Sequence, residues 1–324
     1  MRYIPFLLLT CLALVLMAGG ADAKEPEWNY NAGSGINSVA ISADGEYIVA
    51  GSDEDQVLLF HKDSNTPLWS YTAGDGVYSV AISSDGETIV AGSLDNNVYL
   101  FDKDSSTPLW SYGTGNRVWS VAISQDGETI TAGSWDNRVY LFDKDSGTPL
   151  WSHATSNFVF SVDISADGEM IAAGSDKAYL FDRNSSTPRW SYSTGDTVRA
   201  VDLSEDFFGQ QQYHLAAGSW NGKVYLFHNN NSVPLWEYTT GDSIYSVAIS
   251  DDSGYIAAGS KDYSVYLLDG DGTALWSYAT GGTVLSLDFS VDAEELAVGS
   301  DKLYLFDKDS SCLLYTSPSP RDRG

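Results

Sequence analysis

The sequence predicts an all-β fold, a seven-bladed β-propeller of four-stranded antiparallel blades, and two observations carry that prediction. A tryptophan returns as Trp28, Trp69, Trp110, Trp151, Trp190, Trp236 and Trp276, at successive spacings of 41, 41, 41, 39, 46 and 40 residues. Between these tryptophans the apolar residues alternate with period two and are interrupted by clusters of Gly, Asp, Asn, Ser and Pro, the pattern of short strands and hairpins. A repeat of this length with four strand-like segments per copy marks a propeller blade. One blade alone cannot bury both faces of its sheet, so the copies must stack around an axis.

The copy from Val77 to Arg117, VYSVAISSDGETIVAGSLDNNVYLFDKDSSTPLWSYGTGNR, serves as the reference. Strand a is expected over 77–83, strand b over 88–93, strand c over 98–102 and strand d over 108–113. Asp85-Gly86 and Asp95-Asn96 supply the a–b and b–c turns, where small polar residues cap the backbone or accept left-handed dihedrals. Ala91-Gly92-Ser93 leaves room for a neighbouring blade to approach the backbone of strand b.

Two family resemblances follow from these residues. SVAISSDGETIVAGSLDNNVYLFD resembles the WD-repeat, although it has no Gly-His pair and ends in Phe101-Asp102 where that family usually has Trp-Asp. FDKDSSTPLW resembles the tryptophan-docking motif of quinoprotein-like propellers, in which an Asp precedes the docking Trp by eight residues. Asp102 to Trp110, Asp143 to Trp151 and Asp182 to Trp190 keep that offset. Both likenesses imply a propeller, and the docking motif, a blade-to-blade fastener, carries no implication for a cofactor.

In chain order, Arg2, the apolar run Ile4 to Met17 and Ala21-Asp22-Ala23 read as a secretory signal peptide over 1–23, with an A-x-A cleavage site. The run is shorter than the roughly 20 residues that span a bilayer, so no membrane insertion is expected after cleavage, and the product is expected to be secreted, periplasmic or at the cell surface. The propeller is expected over 24–311. Glu27-Trp28-Asn29-Tyr30 matches a strand d with no a, b or c before it. Seven a–b–c sets begin near Ile36, Val77, Val118, Val159, Val198, Ile244 and Val284, with only six further strand d segments. The N-terminal strand is therefore expected to complete blade seven and close the ring; eight blades would follow if the natural chain continues. Blades four and seven have b–c turns shortened at Asp176-Lys177 and Asp301-Lys302, and blade five carries extra residues around Phe207 to His214. Residues 312–324, CLLYTSPSPRDRG, look unlike the repeat and read as a non-native, adapter-like tail.

The net charge of −27 repels nucleic acid and anionic lipid. Its acidic residues concentrate in the a–b and c–d loops, whereas the d–a and b–c loops come near balance. The only cysteines are Cys11 and Cys312, so the mature domain has no thiolate nucleophile or paired-cysteine zinc site. His61, His153, His214 and His228 are scattered over the repeat without a triad pattern, and neither a phosphate loop nor H-E-x-x-H is present. No catalytic residue and no cofactor is assigned.

Of ten tryptophans, three lie outside the repeat: Trp119 at the start of a strand a, and Trp135 and Trp220 in b–c turns. The position of Trp119 reads Asn37, Tyr78, Trp119, Phe160, Arg199, Tyr245 and Leu285 around the blades. A shared phase gives these residues a shared height near the mouth of the central channel. Arg117 and Phe158 lie two residues upstream in their d–a loops. Tyr78, Arg117, Trp119, Trp135, Phe158, Phe160, Arg199, Trp220 and Tyr245 form the candidate partner-binding set, since Trp, Tyr and Arg supply large, stiff contacts; the alternative is that they fill space between blades. Asp163, Asp202 and Asp288, where other blades have Ala, are read as hydrogen-bond acceptors between strands in preference to calcium ligands. The repeated Asp-x-Asp turns are read as hairpin caps. The leading expectation is an exported, monomeric, non-enzymatic scaffold for a protein, peptide or glycan. Its rival is a quinoprotein-like dehydrogenase using pyrroloquinoline quinone and calcium, although its calcium-binding Glu, Asn and Asp have no counterpart placed here.

Overall fold

A computed structural model describes residues 28–204 and 212–309, and the backbone of 313–316. The expected signal peptide lies outside the described residues, as do most of the blade-five insertion and the rest of the tail. The fold is all-β: seven sheets, each of four antiparallel strands in the order a-b-c-d.

Blade two shows why these residues form these elements. Its strands are Val77–Ile82, Thr88–Ser93, Asn97–Asp102 and Trp110–Gly113. Strand d starts at Trp110, two residues later than expected, because Pro108 has no N–H for the ladder. In the a–b turn Asp85 accepts bonds from the Ser83 hydroxyl and the Glu87 N–H, and Gly86 takes φ +76°. Asn96 occupies the left-handed position of the b–c turn at φ +77°.

Stacking then buries both faces. Val90, Val98 and Leu100 of blade two join Val118, Val121, Ile123 and Ile130 of blade three in one apolar cluster. Gly92 permits this approach: a Cβ there would lie 2.6 Å from Val118 Cγ1. Polar side chains link the strands nearest the axis. The Val121 N–H donates to Ser79 Oγ across the blade boundary at 3.0 Å, and Val162 does the same to Ser120 at 3.0 Å. At the outer rim, Trp69 Nε1 donates to the Lys103 carbonyl of the next blade at 2.7 Å and Trp110 Nε1 to that of Lys144 at 2.8 Å.

Three features differ from expectation. Strand a of blades four and seven is Ser161–Ile164 and Ser286–Phe289, starting two residues late. The shortened b–c turns end strand b at Gly174 and Gly299, so the regular ladder with strand a starts only at Ser161 and Ser286. Second, blade seven takes its fourth strand from Leu313–Thr316, not from the N-terminus, so the propeller extends past 311 into the segment read as foreign. The register explains it: Tyr315 pairs with Leu305 as Trp110 pairs with Leu100 in blade two. Third, among the described residues the segment from Trp28 to Gly35 pairs with no strand. Trp28 instead docks on blade one, its Nε1 donating to the Lys62 carbonyl at 2.5 Å and its ring stacking on Phe60.

The junction between blades seven and one is looser than the other six. Ala297, Leu303 and Leu305 of blade seven are half-buried, whereas their blade-two counterparts Val90, Val98 and Leu100 are sealed. Ile36, Val39 and Ile48 of blade one are also half-buried, beside Trp28 and Ala32. Among the described residues, strand a of each blade packs extensively on that of the next blade from one through seven, with no comparable contact from blade seven back to blade one.

Candidate functional site

The first strands of all seven blades line a central cavity of about 220 Å³. Its mouth is set by a backbone device. In blades one, two, three, five and six the ladder slips by one residue at the start of strand a, leaving Asn37, Tyr78, Trp119, Arg199 and Tyr245 as the extra residue. Such bulges turn a side chain out of the sheet's regular alternation. Phe160 and Leu285 take the same place just ahead of the two shortened strands, each N–H donating to the last glycine of strand b. The Trp135 N–H bonds the Arg117 carbonyl at 2.9 Å and the Trp220 N–H the Thr197 carbonyl at 2.9 Å, which ties the b–c turns to the d–a loops.

The structure brings all nine candidate residues into one connected cluster. Tyr78, Trp119, Trp135 and Phe158 form a continuous pile with centroid separations of 4.4, 4.5 and 4.9 Å. Phe160 abuts Trp135 and Phe158 edge-on and contacts Trp220 at 5.7 Å. Arg199 lies over Phe160, Trp119 and Tyr245 at 4.9, 5.5 and 5.7 Å, and Arg117 over Trp135 at 5.7 Å. These are cation–π distances. Burial lowers the Arg199 guanidinium from its ordinary value, with Tyr245 and Tyr78 partly offsetting the effect; an arginine stays charged through such a shift.

The rings are not equally open to a partner. Trp119 and Trp135 have neighbours against both faces, and the Trp135 indole N–H is buried without an acceptor among the described residues. Phe158 and Trp220, each 38% exposed, offer the free surface. None of the three unrepeated tryptophans belongs to the apolar clusters between blades, whereas six of the seven repeating ones do and the seventh, Trp28, packs in a cluster of blade one.

Deeper in the channel, Asp163 accepts the Leu203 N–H at 2.7 Å and Asp202 the Ile249 N–H at 2.8 Å, each from the next blade. Asp288 accepts its neighbour's N–H, that of Phe289, at 2.9 Å. Each of these three carboxylates thus has one oxygen bonded to backbone, the role of an acceptor within and between strands. The Asp-x-Asp turns cap their hairpins, as Asp102 does for the Asp104 N–H at 2.9 Å. The histidines are dispersed: His61 pairs with Glu46, His153 with the Ser186 carbonyl, and His214 with Ser253 beside His228.

One set of bonds beneath the mouth has no sequence signature beyond its repetition. Asp95 accepts from the Tyr99 hydroxyl at 2.6 Å and the Gly74 N–H at 2.7 Å, joining b–c turn, strand c and d–a loop. It recurs at Asp136–Tyr140, Asp262–Tyr266 and Asp301–Tyr304. Burial raises the Asp95 carboxyl, but the bonds from Tyr99, Gly74, Asn97 and Ser93 outweigh it and leave the group below its usual range. Burial and the paired carboxylate push Tyr99 up, and Tyr266 and Tyr304 to about 12.

Residues 136–315 match the family model described as outer membrane protein assembly factor BamB. The chain belongs to that BamB family. Residues 25–61, 65–102 and 106–143 match WD domain, G-beta repeat. The two matches divide the chain between them, yet BamB-type and WD-type segments build the same four-stranded blade. No curated protein matches the chain.

Proposed function

We propose that this chain is an exported, monomeric, non-enzymatic propeller that binds a protein, peptide or glycan partner through the aromatic channel mouth. The observation that carries the reading is the connected nine-residue cluster, which lies outside every blade-to-blade cluster and presents Phe158 and Trp220 to solvent. Large exposed aromatic rings flanked by arginine are characteristic of recognition surfaces. Export is supported by the A-x-A signal pattern at 21–23 and by the matched family, whose description is that of an outer membrane assembly factor.

The test is selection from a displayed peptide library and a glycan array on the wild-type chain, repeated on Phe158→Ala/Trp220→Ala. Ligands that bind the wild type and not the variant, at unchanged thermal midpoint, support the reading. Equal binding to both removes it. Dye-linked alcohol or sugar oxidation on adding pyrroloquinoline quinone and calcium would replace it with a dehydrogenase.

A further inference from the structure

Among the described residues, Arg199 differs from most basic side chains in its lack of a partner. With 44 acidic and 17 basic residues, a basic side chain has abundant carboxylates to pair with. Lys103 and Lys223 each meet one at 2.6 Å and Arg189 at 3.1 Å. Arg199 has no ion pair and no hydrogen bond among the described residues. It is partly buried, ringed by Trp119, Phe160 and Tyr245, and lines the cavity. The rings interact with its π-face, and none accepts its five N–H groups in their plane. A desolvated guanidinium with open donors is costly to hold, and a planar carboxylate answers it with two parallel charge-assisted bonds.

We propose that Arg199 is the seat for a carboxylate of a bound peptide, with the neighbouring rings covering the apolar group beside that carboxylate. This assignment rests on the partner-binding reading of the mouth and narrows it to an acid-bearing peptide. A phosphate would bring a second negative charge into a chain already at −27, whereas a carboxylate matches the single charge and the fork of the guanidinium. The cavity admits a terminal residue or one side chain.

The experiment titrates the full chain at pH 7 with N-acetylphenylalanine and with its uncharged amide, following indole fluorescence. The acid should bind about tenfold more tightly or better. Arg199→Gln should erase the difference, Arg199→Lys should restore only part of it, and Arg189→Gln, whose side chain pairs with Asp182 away from the cavity lining, should leave it intact. Equal binding of acid and amide by the wild type overturns the proposal whether or not the variants fold. So does a preference that survives in a folded Arg199→Gln, or displacement of the acid by equimolar phenyl phosphate or galacturonate. Loss of the acid preference with library ligands still held at Phe158 and Trp220 removes the carboxylate seat alone; loss of those ligands as well removes the whole mouth.

Discussion

Trp110 and Trp119 lie nine positions apart in the chain and do opposite things. Trp110 belongs to the outer belt: its indole N–H bonds the next blade's carbonyl, its ring meets Phe142 at 5.1 Å, and it joins an apolar cluster. Trp119 belongs to the mouth: it sits on a bulge, contacts other mouth rings and Arg199, and joins no cluster between blades. Belt indoles recur because every junction needs the same fastener. Mouth indoles appear at positions where the other blades carry other residues, and they join no cluster between blades.

The sharpest way to break this comparison is to truncate one indole of each kind. Trp110→Ala should cost about 2–4 kcal/mol in urea unfolding, somewhat under the range for a fully buried aromatic because the ring is half-buried. An equal loss in Trp220→Ala would abolish the distinction between belt and mouth. Next is Gly92→Ala, whose Cβ would press on Val118; overpacking of this kind costs about 1–3 kcal/mol. Gly113→Ala, where a Cβ meets only Asn97 Oδ1 at 3.5 Å, should cost clearly less.

The Asp–Tyr pairs that brace the mouth come third. Tyr99→Phe should cost about 1–2 kcal/mol by leaving Asp95 short of a donor. Its pH dependence has a fixed sign. Asp95 and Asp301 are lowered in the fold, so their contribution is present above the unfolded carboxylate value near ~4 and fades as the pH falls through the folded value. Tyr266 and Tyr304 are raised to about 12, so theirs is complete below the unfolded tyrosine value near ~10 and fades as the pH rises toward 12. Thermal midpoints measured across both limbs should drop at each end, and Tyr99→Phe should flatten the alkaline one. Smallest of all, Trp220→Ala should change stability by less than about 0.5 kcal/mol while removing ligand.

The architecture was readable because one spacing fixes seven blades at once, and period-two alternation places each strand within a residue or two. The mouth was readable in outline because residues at one phase of a repeat share one height. What alternation cannot express is a slipped ladder: the bulges at Tyr78, Trp119 and Arg199 come from three-dimensional register, and they decide where these side chains go. Nor does composition mark the Asp95–Tyr99 bond, since an aspartate in a turn already has a local capping role. The fourth strand of blade seven was hidden for a related reason. Leu313–Thr316 lacks the repeat's tryptophan, but strand pairing requires backbone groups in register, and those it has.

The loose joint between blades seven and one gives the molecule two ends in a mechanical sense. Each blade leans only on its neighbours, so disassembly should begin where Leu305 and Ile36 are least covered and travel inward toward blade four. Amide exchange would then record a gradient along the arc, with Leu303–Asp307 and Ile36–Ile41 losing protection first and Arg138–Asp143 among the last. The aromatic mouth spans blades two to six, so it would keep its shape while the outermost spokes loosen.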